Sequence, residues 1–168
     1  MLASMIVMLG PSFAEDAGFT DLGFRFGIST HMEKFDIESY EVFTVYRLPW
    51  AWRLFPDWFL STRITGSAGV ITQDDDTGLI SSLEPVIALS RTGGRLLLET
   101  GGGITILSDN KLGGHDFGGP NLFTVHGGIS YRILKNIAVG YQFHHISDGG
   151  IFDGKGLNRH LLELSYRF

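Results

Sequence analysis

From residue 18 onward the chain alternates apolar and polar positions with a period of two, in runs separated by turn-forming segments. The runs cover residues 18–30, 40–54, 58–72, 79–91, 95–108, 121–133, 136–147 and 157–168, each twelve to fifteen residues long. No convincing 3.6-residue period interrupts them. Strands of ordinary globular domains run nearer five or six residues, whereas a tilted strand crossing a bilayer needs about nine to eleven. The pattern therefore predicts an all-β fold, an eight-stranded antiparallel transmembrane β-barrel of the outer-membrane type.

The last two runs show what the alternation separates. Counting back from Phe168, one face of the final run carries Tyr166, Leu164, Leu162, His160 and Asn158; the other carries Arg167, Ser165, Glu163, Leu161 and Arg159. In the run before it, Ile137, Val139, Tyr141 and Phe143 oppose Ala138, Gly140, Gln142 and His144. An apolar face closed by an aromatic, backed by charge, suits lipid outside and a polar lumen inside. Gly101, Gly103, Gly127 and Ala138 are expected to line a narrow interior, where Glu84 and Glu99 should meet lumen arginines. The rival architecture is a soluble up-and-down barrel with its polar faces outward.

Connections alternate in length. FPD, TGG and KN are short; THMEKFDIE, QDDDTG, SDNKLGGHDFGGPN and DGGIFDGKG are longer. With short turns periplasmic and long loops external, an even strand number puts both termini on the periplasmic side. Trp50, Trp52 and Trp58 then gather near one membrane edge as interfacial residues.

Composition refines this picture. At 168 residues the chain is one domain by size, and a formal charge of −5 argues against a nucleic-acid partner. There is no cysteine, which excludes disulfides and thiolate metal sites, and the scattered histidines His31, His115 and His126 show no metal-ligand spacing. No cofactor or metal is therefore expected. Asp74, Asp75 and Asp76 read as a solvated loop. The opening MLASMIVMLGPSFA is apolar and ends on small residues, as an export signal does, so residues 1–14 are read as a signal remnant and 15–168 as the barrel.

Candidate chemistry sits in YQFHHISDGG, residues 141–150. On a strand, His145 and Ser147 share a side, and a histidine can take the proton of a nearby serine that attacks an acyl carbon. By barrel parity the pair lies at the outer end of its strand, facing lipid, level with headgroups and acyl esters. The following strand returns beside it and presents Asn158 and His160 on the same face, so Asn158 can orient the His145 ring. His144 points inward as an interior hydrogen-bonding residue.

Three stretches, YRLPWAWRLFPDW, LEPVIALSRTGGRLLLETGGGI and HHISDGGIFDGKGLNRHLLELSYRF, resemble the PagL-type lipid A 3-O-deacylases of the Gram-negative outer membrane. The resemblance covers essentially the mature chain. It implies a serine esterase that hydrolyses the ester-linked 3-hydroxyacyl chain at the 3-position of lipid A, with His145 as general base, Ser147 as nucleophile and Asn158 where the family's acidic member falls. The family's Ser-Asn-x-Gly is here Ser147-Asp148-Gly149-Gly150, which leaves the backbone N–H groups of Asp148, Gly149 and Gly150 as oxyanion candidates. The implied partners are lipid A or lipopolysaccharide in the outer leaflet and outer-membrane lipids; a homodimer is left open. The alternative is a non-enzymatic small barrel: an inactive relative, an adhesin or a membrane-stability protein.

Overall fold

The computed structural model describes residues 16–29, 37–91 and 93–168. The proposed export signal and His31 lie outside the described residues. The elements are β1 (Gly18–Ser29), β2 (Ile37–Phe55), β3 (Trp58–Gln73), β4 (Asp76–Arg91), β5 (Leu96–Leu107), β6 (Lys111–Leu112), β7 (His115–Asp116), β8 (Asn121–Arg132), β9 (Ile137–Ser147) and β10 (Leu157–Arg167). The long strands close in the order β1-β10-β9-β8-β5-β4-β3-β2, an eight-stranded antiparallel barrel, while β6 and β7 form a separate two-stranded hairpin. Closure pairs every edge, as a sheet surrounded by hydrocarbon requires.

The alternation lands as the sequence dictates. Leu162, Leu164 and Tyr166 are exposed on the outer wall, and Leu161, Arg159 and His144 are buried inside. Gly127 is a correction. Successive residues of β8 alternate around it, with His126 buried and Val125 exposed, so Gly127 faces outward. A side chain there would meet only the Glu99 carbonyl, at 3.9 Å. A second correction is QDDDTG: Gln73 pairs with Asp76, leaving a two-residue turn in which Asp74 has φ 51°. The strands extend into what the sequence shows only as polar residues. Near the periplasmic end β2 bulges between Arg47 and Ala51, around Pro49, which has no N–H for the ladder.

The interior has two layers. Midway, Arg25 donates from Nε and Nη2 to Glu41 Oε2 at 3.1 and 2.8 Å, and Arg159 Nη1 donates to Glu41 Oε1 at 2.8 Å. Glu84 lies 3.7 Å from Arg25, as expected; Glu99 instead accepts from Gln142 Nε2 rather than from an arginine. Toward the external mouth the inward positions turn apolar: Ile37, Ile71, Ile80, Leu107, Leu122, Ile146 and Leu157 form a plug with Leu112 and Phe117 from the β5–β8 connection. Burying a side chain of that kind is worth roughly 1.5–3 kcal/mol. The plug fixes the outer ends of β9 and β10, where the candidate residues sit.

Candidate active site

His145 and Asn158 are directly opposed in the β9–β10 ladder. Asn158 Oδ1 lies 2.7 Å from His145 Nδ1. A carbonyl oxygen only accepts, so the imidazole donates Nδ1–H and carries its lone pair on Nε2, the tautomer a general base needs. The hydrogen bond is local in space because strand register makes it so; the two residues are separated by a loop. Each has a buried neighbour along its strand: Ile146 and Leu157 in the plug, and Arg159 on Glu41. Both strands are therefore pinned from inside while the polar residues face out. Beneath the ring lies Gly156, where an added Cβ would stand 3.1 Å from His145 Cε1 and 3.6 Å from Nε2. A larger side chain there would press on the edge of the ring that carries the lone pair.

Ser147, half-buried, ends β9 on the same outward face, opposite Phe123 of β8. No hydrogen bond joins its Oγ to His145 among the described residues; such contacts often tighten only with substrate bound.

The loop that follows is built around Asp148. Its carboxylate accepts Gly150 N–H on Oδ1 at 2.9 Å, and Phe152 and Gly154 N–H on Oδ2 at 2.8 and 2.9 Å. These three donors hold the carboxyl below the ordinary aspartate range. Gly149 and Gly150 take φ of 68° and 77°, a conformation side chains rarely adopt. The β6–β7 hairpin buttresses this loop: Lys155 N–H donates to the Asp116 carbonyl at 2.8 Å, and His115 Nε2 lies 3.0 Å from the Lys155 carbonyl. Gly118 and Gly154 meet so closely that a Cβ on Gly154 would stand 2.1 Å from the Phe117 oxygen. This hairpin lies inside the segment that the alternation leaves as a loop, SDNKLGGHDFGGPN. Its one legible signal was the glycine density of KLGGHDFGG.

Other polar residues take interior or rim places. His160 is hydrogen-bonded to the Tyr141 hydroxyl at 2.6 Å on the outer wall. His144 Nε2 donates to Gln142 Oε1 at 2.6 Å, and His126 Nδ1 donates to Glu84 Oε2 at 2.6 Å, the two imidazoles stacking at 4.7 Å. Glu84, His126 and His144 bring three donor atoms within 4.8 Å, a grouping of metal-binding type that spacing along the chain had not revealed. Glu84 is already engaged by His126, Ser82 and the nearby Arg25 guanidinium, so the trio reads as part of the interior network. Asp76 of the acidic turn accepts Gly113 N–H at 2.8 Å.

A closed eight-stranded antiparallel barrel with an apolar outer wall defines a Gram-negative outer-membrane protein, and the His145–Asn158 pair stands on that outer wall. The lipid A 3-O-deacylase (PagL) family profile matches residues 38–167, and the chain belongs to that family. Among solved structures it is similar to the outer-membrane enzyme PagL, at a TM-score of 0.78 and 16% identity, covering 88% of this chain and 99% of that one. It is also similar to a designed transmembrane β-barrel, at a TM-score of 0.53 and 13% identity over 92% of this chain and 99% of that one. Neisserial surface protein A (NspA) gives 0.51 and 13% identity over 91% of this chain and 98% of that one. At these identities the structural likenesses establish the fold. No curated protein matches the chain in sequence.

Proposed function

We propose that this member is an active lipid A 3-O-deacylase, with Ser147 as nucleophile, His145 as general base and Asn158 as the residue that orients it. The observation that carries the reading is the 2.7 Å contact between Asn158 Oδ1 and His145 Nδ1, on the lipid-facing wall at the external rim. Ser147 Oγ attacks the ester carbonyl while His145 Nε2 takes its proton. The tetrahedral intermediate collapses, the C–O bond to the 3-oxygen of the sugar breaks, and His145 returns the proton to that oxygen. Water, deprotonated by His145, then attacks the acyl-enzyme; the bond from the acyl carbon to Ser147 Oγ breaks, His145 returns the proton to Oγ, and the 3-hydroxy fatty acid leaves. The ester lies at the outer wall, so substrate reaches the site from the leaflet and needs no passage through the lumen.

The departures from the family pattern are compatible with this chemistry. The Asp148 carboxylate is turned into its own loop and accepts three N–H groups there, which removes it from the face where an oxyanion would develop. The Gly150 N–H, and the N–H of Asp148 itself, are engaged by the Asp148 carboxylate, which leaves the Gly149 N–H as the freest of the oxyanion candidates. Asn158 supplies orientation without the charge that would stabilise an imidazolium, and the expected consequence is a slower enzyme. The test is mass spectrometry of lipid A incubated with the refolded protein: loss of one 3-hydroxyacyl group supports the reading, and intact lipid A opposes it.

A further inference from the structure

The periplasmic end of the barrel holds a feature that ester hydrolysis does not use. A cavity of about 320 Å3 opens there, lined by Arg47, Arg63, Arg91, Arg132 and Arg167, and no carboxylate is among its lining residues. The arginines come from five different strand ends or inward positions of β2, β3, β4, β8 and β10, so the barrel's closure brings them together. Arg167 Nε donates to Asp21 Oδ1 at 2.9 Å, deeper in the lumen, where Asp21, Glu99 and Glu163 line the adjoining space with Arg63 and Arg167; five guanidinium groups against these three carboxylates leave the mouth net positive. Among the described residues, the buried Arg132 Nε has no hydrogen-bond partner. The turn between β4 and β5 closes over the Arg132 guanidinium: a Cβ on Gly94 would stand 3.4 Å from Nη2, and Gly93 and Gly94 hold φ of 90° and 54°.

Guanidinium groups converging on one space repel one another unless an anion sits among them, and low-dielectric walls strengthen the field they share. Their planar forks match the oxygens of phosphate in pairs, a geometry a single ammonium does not offer. The Ser90 hydroxyl adds a neutral donor to the lining, and the volume suits a phosphate carrying a small polar group and excludes a lipid A disaccharide with its chains.

We propose that the periplasmic mouth of this barrel is a binding site for a phosphate group borne by a small polar moiety. Two sources share that chemistry: a soluble phosphate ester of the periplasm and the headgroup of an anionic phospholipid of the inner leaflet. The site stands at the opposite end of the barrel from His145 and Ser147, and the proposal is independent of whether the chain hydrolyses lipid A.

The full-length protein, refolded and verified by heat-modifiable gel mobility, is titrated calorimetrically in detergent with inorganic phosphate and with glycerol phosphate. In parallel, its melting temperature is compared in nanodiscs of phosphatidylglycerol and of phosphatidylcholine. Saturable binding of either soluble probe, weakened about tenfold by Arg91→Gln and by Arg132→Gln, supports the site and a soluble ligand. A higher melting temperature in phosphatidylglycerol, lost in the same variants, supports the headgroup. Absence of binding in both arms overturns the proposal, as does binding that neither substitution changes. Arg91 is exposed at a strand end, so Arg91→Gln folds even if the replacement at Arg132 does not.

Discussion

At the residue scale, the proposed chemistry depends on which nitrogen of His145 keeps the proton. Asn158 Oδ1 settles it by accepting from Nδ1. Replacing Asn158 with Leu removes the acceptor and frees the ring, and deacylation is expected to fall about a hundredfold, within the range that general-base catalysis contributes. Replacing it with Glu adds charge to the same contact and is expected to raise the rate above wild type. Initial rates of fatty-acid release measure both, and a Leu variant as fast as wild type would remove Asn158 from the mechanism. Asp148 makes a different prediction. Its carboxyl is held low by three backbone donors, so the loop stabilisation is fully present above the ordinary aspartate value and is lost as pH falls through the depressed one. The amide resonances of Gly150, Phe152 and Gly154 should shift together in that acidic window, below about pH 4, and Asp148→Asn should abolish the shared transition. Amides that titrate separately would contradict the three-donor arrangement.

At the element scale, much of the site was readable from strand parity. Alternation alone put His145 and Ser147 on one face and Asn158 beside them, because an antiparallel hairpin has few registers that keep Leu162, Leu164 and Tyr166 in lipid. The β6–β7 hairpin was not readable. Strands of two residues carry no period, and what fixes them is contact with the β9–β10 loop, far away along the chain. The outward position of Gly127 was missed because a glycine contributes nothing to the alternation. Phe117 ties this hairpin to the plug. Phe117→Ala is expected to cost about 3 kcal/mol and to loosen the loop after Ser147, lowering deacylase activity while the barrel still folds. Activity and gel mobility together check this; full activity in a Phe117→Ala barrel would show that the buttress is dispensable.

At the scale of the whole molecule, the barrel divides labour between its faces. The outer wall carries the residues of the proposed reaction, the external mouth is filled by the plug, and the middle is cross-braced by Arg25, Glu41 and Arg159. The alternation marked Arg159 as an inward charge, but its pairing with Glu41, shared with Arg25, depends on which strands face one another across the lumen, and that follows from barrel stagger rather than from any local pattern. Arg159→Met leaves Glu41 with Arg25 alone and is expected to destabilise the barrel by about 3–5 kcal/mol, read as a lower unfolding midpoint in urea. An unchanged midpoint would mean that the brace contributes little. No feature of the described residues supports a homodimer, and the reaction proposed above draws all its groups from one barrel.

The central claim, that Ser147 on this outer wall deacylates lipid A, is tested most directly by mass spectrometry of lipid A after incubation with folded wild-type protein and with folded Ser147→Ala. The account predicts loss of one 3-hydroxyacyl chain from the 3-position with wild type, and intact lipid A with the variant. Intact lipid A from folded wild type, or equal loss with the variant, would contradict it.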